Sequence, residues 1–207
     1  MGEIRWRKCD ISTKPCYIDL SIDECYYLRE YVGIGYTGSD SNQLIINFKI
    51  PIKDRETHRW YYKKKAIEKF AAELNRLLAG SVCIIPMPTS CPKSDPQYDS
   101  RLVDTIRELQ KYKPGIRCED IIETRVKIPS ASKDGGPRDP KILATYYCLR
   151  KPENALPSIV VLLDDVITTG GHFKACKSLL RMAHPNVNFI GVFWARRVFD
   201  DLGDFSA

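Results

Sequence analysis

Five apolar residues, Ile159-Val160-Val161-Leu162-Leu163, run into two adjacent carboxylates, Asp164 and Asp165, and then into Val166-Ile167-Thr168-Thr169-Gly170-Gly171-His172. Each part of this order has a chemical use. Glycines let backbone N–H groups close around an anion, a helix starting there adds unpaired donors and a positive dipole end, and threonine hydroxyls add hydrogen bonds to a phosphate. Two carboxylates would be repelled by a polyphosphate, but they can accept hydrogen bonds from sugar hydroxyls. Acids before the turn and donors within it read together as a site for a ribose 5-phosphate. The end of a strand is also where open α/β sheets bind ligands. An ordinary strand, turn and helix with Thr168 or Thr169 as N-cap accounts for one threonine, but not for the paired acids, two threonines and two glycines together.

The segment closely resembles the phosphoribosyl-pyrophosphate (PRPP) signature of type I phosphoribosyltransferases: a hydrophobic strand, paired acids and a Thr-Thr-Gly turn. The resemblance implies that Asp164 and Asp165 hold the ribose hydroxyls and act in catalysis. It also implies that Val166 to His172 form the PRPP loop, with Thr168, Thr169, Gly170 and Gly171 on the 5-phosphate. His172 departs from the pattern, standing where the family usually has Thr or Ser; its imidazole can still donate to phosphate.

Ile84-Ile85-Pro86-Met87-Pro88-Thr89-Ser90 resembles the family's pyrophosphate loop, which implies roles for Pro88, Thr89 and Ser90, with Lys93 adding charge; two prolines after a strand are also a simple stop signal. Its Pro-x-Pro form is nearest to the competence-associated, amidophosphoribosyltransferase-related branch, although the zinc-binding cysteines of some competence-type members are missing. The stretch 125–138, with Arg125, Lys127, Lys133 and Arg138, falls where the family carries a basic hood that closes and excludes water; a basic, glycine-containing surface loop is otherwise common. Trp194, after the last strand, stands near the family's base site and is a candidate for stacking on a base or a buried edge aromatic. The resemblance covers roughly residues 80–200.

These segments need a scaffold, and the periodicity supplies one. Arg59–Leu78 reads as an amphipathic helix of about five turns, with Ala66, Phe70, Leu74, Leu77 and Leu78 on one side and Gly80 as its stop. Val82–Ile85 and Ser158–Leu163 are apolar on both faces, as strands inside a parallel sheet are. Helices are expected at 98–112 and from about Phe173 to Ala183, and strands at 121–128 and 188–194. Residues 142–149 fit either a strand or a short helix. Alternating strands and helices predict an α/β domain from about residue 59 to 207 with a mostly parallel sheet flanked by helices. Residues 1–58 read as a β-rich N-terminal elaboration, with Gln43–Ile50 as an apolar strand closed by Pro51.

At 207 residues the chain is long enough for one well-filled core. No uninterrupted apolar run approaches a membrane span, and the N-terminus lacks the apolar stretch of a secretory signal. A soluble, cytoplasmic protein is therefore expected. The eight cysteines include no CxxC pair, which favours reduced thiols over a zinc ribbon; Cys9, Cys16 and Cys25 could still share a metal with a distant ligand. The net charge of +6 fits a polyanionic phosphate ligand or a nucleic-acid surface. Arg59-Trp60-Tyr61-Tyr62-Lys63-Lys64-Lys65 has the composition to stack single-stranded nucleic acid, though the exposed start of a helix explains it more simply.

The expected activity is transfer of the phosphoribosyl group from PRPP, with Mg2+, to a nitrogen nucleophile such as that of a nucleobase, releasing pyrophosphate. Its partners are then PRPP and a small-molecule acceptor, and a homodimer is left open. The alternatives are a PRPP- or nucleotide-binding regulator with little or no turnover, and an accessory protein of a DNA-uptake or phage-defence system.

Overall fold

The computed structural model describes residues 5–10, 17–33, 39–129 and 135–198. Its main sheet has six strands: β1 (Arg7–Lys8), β2 (Cys25–Tyr31), β3 (Cys83–Pro86), β4 (Arg117–Cys118), β7 (Ile159–Ile167) and β8 (Asn188–Arg197), in the order β1-β2-β8-β7-β3-β4. Every neighbouring pair is parallel except β1 with β2. A second, antiparallel pair is made by β5 (Ile122–Thr124) and β6 (Tyr147–Leu149). The helices are α1 (Asp40–Phe48), α2 (Arg59–Leu77), α3 (Arg101–Tyr112), α4 (Pro140–Thr145) and α5 (Gly171–Ala183).

From Val160 to Leu163 the apolar run of β7 is buried on both sides, as expected, while Ile159 is exposed. Val160 and Leu162 join a cluster with Phe173, Cys176 and Leu180 of α5 and Leu143 of α4. Val161 and Leu163 join the opposite cluster, with Ile45 and Phe48 of α1, Phe70 and Leu74 of α2, and Ile106 of α3. Alternation along one strand thus separates two cores, and the helices cover both faces of the parallel sheet. This is the α/β class expected from the alternating pattern.

The N-terminal part departs from its reading at one segment. Of Gln43–Ile50, expected as a strand, residues 43–48 are helix: Ser39 caps α1 by accepting from the Asn42 amide at 3.2 Å, and Ile45 and Phe48 fall three residues apart on its buried side. Residues 25–31 join the main sheet. They form β2, paired in parallel with β8 from Cys25 opposite Gly191 to Tyr31 opposite Arg197. Residues 142–149, which fitted helix or strand, divide into the end of α4 and the strand β6, and the strand expected over 121–128 shortens to Ile122–Thr124. No helix of the described residues is long and apolar enough to cross a membrane.

Candidate functional site

β7 continues past its apolar stretch through Asp164 and Asp165 to Ile167, so both carboxylates belong to the strand rather than to the turn. Thr168 and Thr169 make the turn, and Gly170 is the N-cap of α5 with φ +80°, a left-handed conformation that favours glycine. A Cβ at Gly170 would lie 2.5 Å from Cδ1 of Ile18, and one at Gly171 would lie 2.1 Å from the carbonyl oxygen of Arg138. Gly170 is therefore favoured by its backbone conformation, and Gly171 by the backbone carbonyl that leaves no room for a Cβ. Among the described residues, no backbone carbonyl accepts from the amides of Thr168, Thr169 or Gly170.

Alternation points the two acids to opposite faces. Asp165, 3 % exposed, faces the α1–α3 side, where Arg101 donates to its Oδ2 from Nε at 2.9 Å and Nη2 lies 2.8 Å away. Lys49, just after α1, lies 3.1 Å from its Oδ1. Burial alone would push this carboxyl up, but Lys49 and Arg101 outweigh it and hold it below the usual carboxylate range. Arg101 also reaches Asp99, which pairs with the buried Lys63 at 2.8 Å. Lys63 in turn donates to the carbonyls of Phe48 and Ile50. A chain of alternating charges thus links the sheet end to α1 and α2.

Among the described residues, Asp164 has no such partner. Its Oδ1 accepts from the Asp165 amide at 2.7 Å. Burial, followed by the neighbouring Asp165 charge, raises its pKa to about 7. The two adjacent acids therefore rest in different states: one is a neutralised carboxylate, the other a carboxyl that takes a proton near neutrality.

His172 turns its Nδ1 to the hydroxyl of Tyr147, 2.6 Å away, and burial lowers its pKa. The segment that follows residue 16 lies across the turn. The Tyr17 amide donates to the Thr169 carbonyl at 2.8 Å, Ile18 packs on Gly170, and Asp23 binds Lys174 and Lys177 of α5 at 2.7 and 2.8 Å.

The Pro86–Ser90 loop follows β3, and the Met87 amide donates to the Leu163 carbonyl at 2.9 Å, one residue before the acids. A cleft opens here, lined among others by Pro88, Thr89, Lys93, Asp99 and Glu123. The loop's carbonyls are tied to the small sheet: Thr124 donates to Thr89 and the Ile128 amide to Ser90. Lys93 is not a spare cation, since Asp120 and Glu123 hold it at 2.7 and 3.0 Å. Of the expected hood, Arg125, Lys127 and Arg138 are exposed, and the backbone of Arg138 touches Gly171. Lys133 lies outside the described residues, as does Cys16.

Trp194 does not stack on a ligand. It is 0 % exposed, lies flat against Phe70 with ring centroids 4.6 Å apart, and donates Nε1–H to Glu73 at 2.6 Å. The inward side of a sheet strand placed it in the core. Tyr61 and Tyr62, by contrast, are exposed at the start of α2.

No family model and no curated protein matches the chain. Among solved structures, a hypoxanthine phosphoribosyltransferase from Staphylococcus aureus is similar at 11% identity with a TM-score of 0.37, over 65% of this chain and 73% of that one. Values of that size transfer no role to any residue.

Lys49, Arg101, Asp99 and Tyr147 were not singled out in the sequence. They come from three separate parts of the chain and carry no local motif; only the fold brings them to the end of β7.

Proposed function

We propose that the chain binds PRPP where β7 and β3 end, and transfers its phosphoribosyl group to a nitrogen nucleophile such as that of a nucleobase. The observation that supports this best is the continuity of one segment: a central parallel strand, two carboxylates on its last residues, a glycine at positive φ, and a helix beginning at the next residue. The ribose hydroxyls would lie against Asp164 and Asp165, the 5-phosphate against the turn and the start of α5, and the pyrophosphate beside the Pro88–Ser90 loop.

In the reaction the bond from C1 to the pyrophosphate oxygen breaks, and a bond from C1 to the nucleophile's nitrogen forms, through a transition state of oxocarbenium character. The nitrogen's proton is released, and the bonding pair leaves with pyrophosphate. The protein's share is positioning, electrostatic stabilisation and exclusion of water. Mg2+, brought in on PRPP, adds positive charge at the leaving group. The donors fit a cation held mainly by the ligand's own oxygens, because Asp165 is already paired with Lys49 and Arg101.

That same pairing favours a second reading, a PRPP-binding regulator with little turnover. Calorimetry with PRPP and Mg2+ tests binding, and pyrophosphate release over a panel of nucleobases tests transfer. Binding with release supports the enzyme, binding without release the regulator, and no binding at millimolar PRPP removes both. Asp165→Asn should weaken binding in either case.

A further inference from the structure

Tyr147 and His172 join the small sheet to the first turn of α5 through one short contact, the phenol oxygen 2.6 Å from Nδ1. The tyrosine is 2 % exposed, whereas the histidine is half-buried. Which partner owns the shared proton follows from what each could do otherwise. A neutral imidazole has one N–H and one bare nitrogen, and the bond made at one fixes the state of the other. If Nδ1 carried the hydrogen it would donate to the phenol oxygen, and the phenol's own hydrogen, on a side chain shut off from solvent, would need a second acceptor. No other partner for that hydroxyl occurs among the described residues, and a buried donor without an acceptor is costly. The phenol therefore donates, Nδ1 accepts, and the hydrogen sits on Nε2.

Both groups hold these states at neutral pH. Burial pushes the Tyr147 phenol far up, and burial keeps the His172 ring neutral. His172 is the second residue of α5, directly after the turn, and the buried phenol holds its ring at Nδ1.

Resting on the reading of the turn as a phosphate site, we infer that Tyr147 is a positioning residue that holds His172 as the Nε2–H tautomer, a fixed neutral donor to a bound phosphate monoester. The donor replaces the hydroxyl that stands at this position in the family pattern, and it works without the ring becoming protonated. The small sheet is thereby linked to the turn before α5 by a side-chain hydrogen bond.

Long-range 1H–15N correlation spectra of 15N-histidine-labelled protein read the tautomer directly, with His172→Gln identifying the resonances among the chain's three histidines. The expected result is a protonated Nε2 and a bare, hydrogen-bonded Nδ1 for His172; a protonated Nδ1 overturns the inference without touching the proposed function. Calorimetry with PRPP and with ribose 5-phosphate then compares variants. Tyr147→Phe should mix the tautomers and weaken both ligands about three- to tenfold. His172→Leu should weaken them at least as much, while His172→Gln, which keeps an N–H near the Nε2 position, should recover most of the affinity. Any change of affinity between pH 7 and 8.5, where Asp164 titrates, should be the same in wild type and His172→Gln, because the ring stays neutral throughout. Unchanged affinity in both His172→Leu and Tyr147→Phe overturns the assignment while leaving PRPP binding intact. Failure of the wild type to bind either ligand removes the phosphate site and this inference with it.

Discussion

Arg101 meets Asp165 with two nitrogens, Nε at 2.9 Å and Nη2 at 2.8 Å, and turns Nη1 to Asp99 at 3.0 Å. One guanidinium at the start of α3 thus bridges the acid at the end of β7 and the acid paired with Lys63. Removing it would leave Asp165 buried with Lys49 alone and Asp99 with Lys63 alone. Arg101→Met should cost about 3 kcal/mol of stability, in the range for breaking a buried ion pair. Arg101→Lys should recover little of this, because an ammonium cannot form the same fork. Urea unfolding measures both; a loss below about 1 kcal/mol for Arg101→Met would show that the network is held up by other contacts.

Asp164 sets a pH dependence of the opposite sense to its neighbour. Its native pKa of about 7 lies above the ordinary 3.8, so the native state binds its proton more readily than the unfolded chain. The stability it contributes is full below about pH 4 and is lost as pH rises through about 7. Asp165, held low, contributes stability above 3.8 that is lost as pH falls below it. Asp164→Asn should therefore stabilise the free protein at pH 8 and flatten its Tm between pH 4 and 7. The gain is on the order of 1 kcal/mol, discounted for the carboxyl's partial contact with water, or about 2–4 °C. PRPP binding should weaken in the same variant. A Tm that still falls between pH 4 and 7 in Asp164→Asn would assign the dependence elsewhere.

The two glycines of the turn fail for different reasons when altered. Gly170→Ala places a Cβ at φ +80° and against Ile18, so it should cost about 1–3 kcal/mol through strain and displacement of the 17–18 segment. Gly171→Ala meets the Arg138 carbonyl instead. It should push the 135–139 backbone away from α5, seen as faster amide exchange there, with a smaller loss of global stability. Equal exchange protection in wild type and Gly171→Ala would refute that division of roles.

Trp194→Phe probes the core rather than the ligand. It removes the indole N–H from Glu73, which keeps a partner in Arg29, and leaves a gap beside Phe70. A destabilisation of about 1–3 kcal/mol is expected, with PRPP affinity within twofold of wild type. A larger fall in affinity at full folding would bring Trp194 back toward the ligand.

What the sequence disclosed follows from how local each signal is. The β7–turn–α5 segment was legible because strand, acids, glycines and helix are contiguous and each constrains the next. The 43–48 helix was missed because Leu44-Ile45-Ile46 fits a buried strand as well as a helix; the cap at Ser39, three residues before Asn42, was the stronger clue. Lys93 looked available because its matching acids, Asp120 and Glu123, lie after α3 and β4. Trp194 was open to stacking on a base or to burial because only its place near the family's base site was legible, while the rings that enclose it, Phe48 and Phe70, come from α1 and α2. Charge pairing and core membership are decided by distant partners, which no local window contains.

The pairing of Cys25 with Gly191 and of Tyr31 with Arg197 joins segments 166 positions apart inside one sheet. During synthesis β2 leaves the ribosome long before β8, and its edge toward β8 stays unpaired until that strand is made. Until then its edge and the buried face of Leu28 stand open to chaperones or to neighbouring nascent chains. Long-range parallel pairing of this kind is slow to form, so truncations that remove β8 should yield insoluble protein rather than a smaller stable domain.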